Sequence, residues 1–283
     1  MYRENSFHSF EHASHVTMSV TKLLSRVSST DDRYAKGICD NKLLQFALCF
    51  SALIHDVDHQ GVPNATLVKE GALVAKMYQN KSVAEKNSIT LAWEFLMRDE
   101  FRDLVQCICP TIVDKKEFHQ MVLTIVLATD IVDPDLKKDR NQRWDKVFSE
   151  NSDGSGGGAN DLRTGIVVEH LIQASDICHT MQHWHVYRKW NERFFGECYQ
   201  AYLDGRADKN PAEYWYKGEI GFFDFYIIPL AKKLRDCGVF GVSCDEYLDY
   251  ATRNRAEWEA KGQEVVAALV EKYCNADNLE DSL

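Results

Sequence analysis

The chain has 283 residues, of which 45% are hydrophobic and 27% charged, a composition that fits one large globular domain or two small ones. Its 43 acidic and 33 basic side chains give a formal net charge of -10, which argues against nonspecific binding to nucleic acid. The sequence shows no signal peptide, no apolar run long enough to span a membrane and no paired CxxC spacing among its nine cysteines. We therefore expect reduced thiols and a cytoplasmic location, either alone or as the cytosolic part of a larger or membrane-attached protein.

Apolar residues recur at helical spacing along the chain, and no segment alternates as a half-buried strand would. Helices are predicted at residues 6–27, 36–54, 64–78 (short helices around Gly71), 82–96, 99–109, 115–129, 136–148, 162–177, 183–203, 218–234 and 245–273. Ser82 and Glu85 have the spacing of a capping box, and the glycine-rich residues 150–161 are predicted to form a mobile loop. The predicted fold class is all-α, a compact domain of many short to medium helices.

The segment from His55 to His59 holds two histidines and two aspartates at the end of an almost wholly apolar helix. Imidazole and carboxylate groups are ligands of zinc, manganese and magnesium. Charged groups at the end of a buried helix are costly unless they are paired or bound to metal. We interpret the segment as a metal site at the floor of a pocket; the alternative is two helix-capping aspartates and two surface histidines.

Two other places in the chain supply the same types of ligand. His8 and His12 are four residues apart and share a face if they lie on a helix, and Asp176 comes near the end of another apolar helix. A few N and O ligands with open positions are typical of a catalytic metal, and a carboxylate such as Asp56 can bridge two metals. If His12 is a ligand, His8 is free to protonate a leaving alkoxide.

Six motifs occur in a fixed order between residue 7 and about residue 230. They are Phe-His-Ser-Phe-Glu-His-Ala at 7–13, Ile-His-Asp-Val-Asp-His-Gln-Gly at 54–61, Ser-Val-Ala-Glu at 82–85, Leu-Ala-Thr-Asp at 127–130, Ala-Ser-Asp-Ile at 174–177, and Gly-Phe-Phe-Asp at 221–224 followed by Pro-Leu at 229–230. In these motifs the chain resembles the HD superfamily of metal phosphohydrolases and, within it, the catalytic domain of class I 3′,5′-cyclic-nucleotide phosphodiesterases. The resemblance implies a single catalytic domain over residues 1–283, without the family's N-terminal helices and excised from a longer protein with regulatory domains.

The resemblance also implies a site with two metal ions. The tighter ion, expected to be Zn²⁺, would be bound by His12, His55, Asp56 and Asp176. Asp56 would bridge to a second ion, Mg²⁺ or Mn²⁺, held mostly through water. His59 and Glu85 would orient that water and so act on the metal indirectly.

For the substrate, the resemblance implies a proton donor and a clamp for the base. His8 would protonate the departing O3′. Phe222, with Phe194 opposite, would hold the base between two rings, although core packing is an equally ordinary role for a helical phenylalanine. The substrate would be cGMP or cAMP, opened to the nucleoside 5′-monophosphate.

Several positions depart from the family pattern. Phe7 and Ser9 replace a tyrosine and an asparagine, residues 86–88 (Lys-Asn-Ser) stand for Asn-His-His, and His179 replaces an asparagine. Glu219 stands where the family has its purine-binding glutamine. An ionised glutamate only accepts hydrogen bonds, and guanine offers two adjacent donors whereas adenine offers a donor beside an acceptor, so we expect cGMP to be favoured over cAMP.

Two other functions are consistent with parts of the pattern. One is an HD phosphohydrolase that acts on a different nucleotide, which the order and extent of the motifs disfavour. The other is a degenerate domain that binds a cyclic nucleotide or a partner without turning it over, which the altered residues 86–88 and Glu219 favour. Metal content combined with a turnover assay separates this last hypothesis from an active enzyme.

Overall fold

A computed structural model describes residues 1–27, 33–148, 157–240 and 243–274. Within these ranges the chain is helical and contains no strand, which confirms the predicted all-α class. The helices are α1 (Phe10–Arg26), α2 (Arg33–Asp40), α3 (Lys42–Ile54), α4 (Asn64–Lys69), α5 (Leu73–Met77), α6 (Val83–Leu96), α7 (Arg102–Ile108), α8 (Ile112–Leu127), α9 (Pro134–Phe148), α10 (Gly157–Asp176), α11 (Trp184–Leu203), α12 (Trp215–Phe222), α13 (Ile228–Asp236) and α14 (Ser243–Cys274). None of the helices described is both long enough and apolar enough to cross a membrane.

The helix predicted over residues 36–54 is in fact two helices, α2 and α3. The side-chain oxygen of Asn41 accepts the backbone N–H of Leu44 at 2.9 Å and so caps the start of α3. Gln45 donates to the carbonyls of Ile38 and Cys39, at 2.9 and 2.7 Å, and satisfies the end of α2. The prediction of one continuous helix was wrong because Asn41 stops the first helix and starts the next.

The capping box predicted for Ser82 and Glu85 is absent. Ser82 has a left-handed backbone (φ 44°), and its hydroxyl donates to Oδ2 of Asp130 at 2.7 Å. Asn64 takes over the capping role: its Oδ1 accepts the N–H of Ala84 at 2.9 Å, and its Nδ2 donates to Glu85 at 2.9 Å. A side chain distant in sequence therefore caps α6 and leaves Glu85 at the edge of the pocket.

A capping box does form at the start of α8, where Thr111 and Asp114 bond to each other's backbone. This helix therefore begins at Ile112, three residues before the predicted start. The glycine-rich loop predicted at residues 150–161 ends earlier than expected, because α10 already begins at Gly157. The rest of that predicted loop lies outside the described residues.

The predicted helix at 218–234 contains a π-helical turn, Phe223–Ile227, between α12 and α13. Pro229 has no N–H to donate to the carbonyl four residues before it, and a wider turn precedes it. The turn places Phe222 and Tyr226 in stacked contact, with ring centroids 5.3 Å apart.

Helix α3 lies at the centre of the fold and packs against α1 and α8, and α1 also packs against α10. Buried apolar side chains such as Leu48, Val20 and Leu171 fill the contacts between these helices. Each contributes about 1.5–3 kcal/mol through burial. This packing brings the beginning of α1 and the ends of α3 and α10 to one place.

Candidate metal centre

Four side chains from α1, α3 and α10 converge where these helices meet. His12 lies in the first turn of α1, His55 and Asp56 directly follow α3, and Asp176 is the last residue of α10. The Nε2 atom of His12 lies 3.0 Å from Oδ1 of Asp176 and 3.7 Å from Oδ2 of Asp56. The Nε2 atom of His55 lies 3.1 Å from the same Asp56 oxygen and 3.3 Å from the same Asp176 oxygen.

These atoms fit a divalent cation better than they satisfy one another. Nδ1 of His55 is 2.9 Å from the carbonyl of Ala52 and donates to it, which leaves the lone pair of Nε2 facing the cluster. Within the described residues, this nitrogen and Oδ2 of Asp56 are buried without a hydrogen-bond partner. Two imidazole nitrogens and two carboxylate oxygens in this arrangement are a donor set suited to a metal ion.

Asp56 also belongs to a second group of potential ligands. Its carboxylate and one ring nitrogen each of His8 and His59 lie within 4.8 Å of one another, and so do the ligand atoms of His12, His55 and Asp176. All of these residues except His12 line a cavity of about 290 Å³. Because Asp56 faces both groups, its position suits a carboxylate that bridges two ions.

His8 is held by Glu197 of α11, a residue that sequence reasoning missed. Nδ1 of His8 is in short contact with Oε1 of Glu197, whose Oε2 accepts the backbone N–H groups of Phe7 and His8 at 2.8 and 2.9 Å. Burial alone would lower the pKa of His8, but Glu197 and Asp56 raise it to about 9. The only signal in the sequence is an acidic residue among the aromatic residues of α11.

His59 stacks on His8 with ring centroids 3.7 Å apart, and its Nδ1 accepts the N–H of Gly61 at 3.2 Å. Burial lowers the pKa of His59 to about 4, and the charge of His8 acts in the same direction. Burial raises the pKa of Glu85 to about 7, with Asp130 as a further cause. His59 and Glu85, the two residues predicted to orient water, both line the same pocket as the His/Asp cluster.

Asn87 and Ser88, two of the residues that depart from the family pattern, hold the segment from His55 to His59 in place. Asn87 donates to Oδ2 of Asp58 at 2.9 Å, and the Ser88 hydroxyl donates to the carbonyl of Val57 at 2.8 Å. Asp58 also accepts from Arg3 at 2.8 Å. Of the two aspartates in the segment, Asp56 therefore faces the cluster and Asp58 forms structural contacts.

The other end of the pocket contains a directed chain of hydrogen bonds that ends at Glu219. Trp215 donates to Oδ1 of Asn191 at 3.2 Å, Nδ2 of Asn191 faces the Tyr187 hydroxyl at 3.4 Å, and this hydroxyl donates to Oε2 of Glu219 at 2.6 Å. Burial raises the pKa of Glu219 to about 7, against the effect of the Tyr187 and Asn191 hydrogen bonds. No described cation forms an ion pair with Glu219.

Phe194 and Phe222 line the same cavity as Glu219. Phe194 packs against Phe7 and Trp215, with ring centroids 5.0 and 5.4 Å apart, whereas Phe222 stacks on Tyr226. Both rings are only partly buried. The structure thus brings every predicted site residue to one pocket, with His12 in the wall behind it.

The fold and site define an all-helical domain with a His/Asp cluster suited to a pair of metal ions at the base of a pocket. A sequence model of the 3′,5′-cyclic nucleotide phosphodiesterase family matches residues 7–241. The chain belongs to this family.

Curated relatives and solved structures agree with this assignment. The chain is 26% identical over 273 residues to a probable 3′,5′-cyclic-AMP phosphodiesterase of Caenorhabditis elegans, covering 91% of this chain and 37% of that protein. A 3′,5′-cyclic-AMP phosphodiesterase of Drosophila melanogaster is also 26% identical, over 91% of this chain and 24% of its own length. The chain therefore spans much less than half of these relatives. The phosphodiesterase domain of rhodopsin phosphodiesterase from Salpingoeca rosetta shares the fold, with a TM-score of 0.75 and 24% identity over 96% of this chain and 79% of that one.

Proposed function

We propose that this chain hydrolyses 3′,5′-cyclic nucleotides to nucleoside 5′-monophosphates and needs metal ions to do so. The observation that supports this most is the convergence of His12, His55, Asp56 and Asp176 in one cluster, with His8, which is held by Glu197, next to Asp56. The relatives' names as cyclic-AMP phosphodiesterases support the same reaction class.

In this proposal the protein holds two ions at the floor of the pocket. His12, His55, Asp56 and Asp176 would bind Zn²⁺, and Asp56 would be shared with Mg²⁺ or Mn²⁺. When bound, the ions would supply an activated water and stabilise charge on the phosphoryl oxygens. His59 and Glu85 would orient water beside the second ion.

His8 would donate the proton that the leaving O3′ needs. Its Nδ1 is engaged by Glu197, which leaves Nε2 to carry the proton toward the pocket. Glu197, which contacts Nδ1 directly, raises the pKa of His8 against the effect of burial and so favours the protonated ring. Glu197 would therefore both orient the ring and maintain its charge.

At the other end of the pocket, Phe194 and Phe222 would hold the base and Glu219 would select it. Ionised Glu219 would accept from guanine, whereas the neutral acid, like a glutamine, offers a donor and an acceptor and suits either purine. We propose that cGMP is favoured over cAMP and that the preference grows as the pH rises through about 7, the raised pKa of the buried Glu219. The groups that face this carboxyl are Tyr187 and Asn191.

The test is turnover of cGMP and cAMP by the purified chain with added Zn²⁺, Mg²⁺ or Mn²⁺, with bound metal measured in parallel. Metal-dependent release of 5′-monophosphate is the expected result. Bound metal without turnover of either nucleotide would contradict the proposal and favour a binding domain.

A further inference from the structure

A second cavity, of about 200 Å³, lies between α9, α10 and α13 and has a cationic lining. Ile131 lines both this cavity and the pocket of the His/Asp cluster, so the two are neighbours. Its charged residues are Lys137, Arg140 and Lys233, and none of the described residues lining it is acidic. A concentration of positive charge stands out in a chain whose net charge is -10.

Two arginines on α9 differ in their partners, and the comparison shows that Arg140 in this cavity has no described acidic counter-charge. Arg143 donates to both oxygens of Glu169, at 2.8 and 2.9 Å, and to Asp139 at 2.8 Å. Arg140 is only 8% exposed, yet its one described partner is the backbone carbonyl of Asp130, at 2.9 Å. A buried guanidinium without a counter-charge is costly, and its geometry matches an oxyanion.

Tyr226, on the π-helical turn, supplies an independent sign of a ligand. Its hydroxyl is buried and has no hydrogen-bond partner within the described residues. Burial raises the pKa of this hydroxyl, so it remains a donor at neutral pH. An unused buried O–H group beside an uncompensated guanidinium indicates an acceptor that the protein itself does not provide.

Lys233 and His170 are also affected by the positive charge of the cavity. Lys233 donates to Oδ1 of Asn141 at 2.9 Å. Burial lowers the pKa of Lys233, and Arg140 acts in the same direction, whereas the charge of Asp145 acts against them. Burial likewise lowers the pKa of His170 to about 4, with Lys233 and Arg140 as further causes. His170 is therefore neutral, and the cavity keeps the positive charges of its lysines and Arg140.

We propose that this cavity is a binding site for a phosphate group, with Arg140, Lys233 and Tyr226 as its donors. Several cations around one small space, with a neutral O–H donor, suit a tetrahedral dianion better than a single carboxylate. The phosphate could be free inorganic phosphate or the 5′-phosphate of a nucleotide. Binding at this site does not depend on turnover in the neighbouring pocket.

The experiment measures how much inorganic phosphate raises the Tm of the metal-loaded chain, against sodium chloride at equal ionic strength. Lys233→Gln and Tyr226→Phe should each weaken the apparent phosphate affinity by about tenfold or more, as expected when a hydrogen bond to a charged group is lost. Lys232→Gln is the matched control, because Lys232 is the exposed neighbour of Lys233 on α13. It should leave the shift unchanged. Arg140→Gln is a third variant. Its readout is the rise in Tm that phosphate causes, so a lower Tm of the variant without phosphate does not affect the result.

Phosphate held by the metal ions would stabilise all of these variants equally, so equal shifts in wild type, Lys233→Gln and Tyr226→Phe would overturn the proposal. A second arm replaces inorganic phosphate by adenosine 5′-monophosphate, with adenosine as its control. If the Lys233→Gln loss also occurs with the monophosphate, the site accepts a nucleotide phosphate. If it occurs with inorganic phosphate alone, the site takes the free ion.

Discussion

The two ends of the main pocket use polar side chains in opposite ways. At the metal end, His55 and Asp56 are buried with atoms that no described residue satisfies. At the base end, Trp215, Asn191, Tyr187 and Glu219 form a chain in which each donor faces an acceptor. The first end thus offers unpaired donor atoms that suit a cation, whereas at the second end the hydrogen bonds are paired and one carboxyl lines the pocket.

This difference predicts how each end responds to substitution. Removing a residue at the metal end should remove a ligand and, with it, the ion on which turnover depends. Removing a residue at the base end should leave the ions in place and change which nucleotide is preferred. Metal content and the cGMP/cAMP ratio therefore report separately on the two ends.

The largest effect is expected for His55→Ala and Asp176→Ala. Each should lose bound metal and reduce turnover by more than about a hundredfold, the upper limit for groups that only orient a ligand. The measurement is metal per chain by elemental analysis, together with kcat/KM.

Asp58→Asn is the control for these two variants. Asp58 belongs to the same motif, but its carboxylate contacts Arg3 and Asn87, and asparagine tolerates its positive φ of 61°. It should retain metal. Full metal occupancy in both His55→Ala and Asp176→Ala would refute the assignment of ligands.

His8→Ala should reduce kcat by about a hundred- to ten-thousand-fold while metal content stays near that of the wild type. The reason is that His8 would deliver a proton and would not hold the ion. Glu197→Gln should cause a smaller fall, because it removes the charge that keeps His8 protonated but retains a side-chain acceptor.

A phosphodiester with a leaving group that needs no proton, such as p-nitrophenolate, should partly rescue His8→Ala. The same substrate should not rescue Asp176→Ala, because that variant lacks the ion. Loss of metal from His8→Ala would instead make His8 a ligand and contradict its proposed role.

The sequence directed attention to His12, His55, Asp56 and Asp176 because these residues fall at helix ends flanked by core residues, where an unpaired charge needs an explanation. The contact of Glu197 with His8, the proposed proton donor, was not predictable, since it joins residues 189 positions apart. The same limit explains the error at Ser82, where distant Asn64 and Asp130 replace a local capping box. Short-range spacing predicted the elements, but partners from other helices decided the hydrogen bonds.

The base end shows the limit most clearly. Sequence reasoning identified Glu219 but not the residues that surround its carboxyl. In the structure its described partner is the hydroxyl of Tyr187, a neutral donor on another helix. The raised pKa of Glu219 follows from this burial without a counter-charge, and no sequence pattern reports it.

Phe222→Ala should weaken the binding of both cyclic nucleotides to a similar extent and raise KM by about five- to 150-fold. Stacking on a base contributes about 1–3 kcal/mol, and every base has a face on which a ring can stack. Metal content should not change. Phe225→Ala is the control, because Phe225 lies in the π-helical turn that directly follows Phe222 and is 80% exposed. An unchanged KM for Phe222→Ala would assign this ring to core packing.

Glu219→Gln should change selectivity and leave metal content alone. The cGMP/cAMP ratio of kcat/KM should fall by about five- to 150-fold above pH 7, which corresponds to about 1–3 kcal/mol for a two-point base contact. Below pH 7 the wild type should approach the variant, because protonated Glu219 offers the same donor and acceptor as glutamine. A wild type that prefers cAMP at high pH, or a ratio that the substitution does not move, would refute the role of Glu219.

The smallest and most specific effect is expected for Tyr187→Phe, which removes one hydrogen bond to Glu219 and keeps the ring. A hydrogen bond donated to a carboxylate favours its ionised form, so its loss should raise the pKa of Glu219 further above about 7. The pH at which the cGMP preference develops should therefore move upward, and the ratio at neutral pH should fall by about two- to tenfold, the effect of one net hydrogen bond. The measurement is the cGMP/cAMP ratio across a pH series in wild type, Tyr187→Phe and Tyr187→Phe/Glu219→Gln. If Tyr187 acts only through Glu219, the double variant should show the same, pH-independent ratio as Glu219→Gln; a ratio that differs between these two variants would mean that Tyr187 contacts the base by itself.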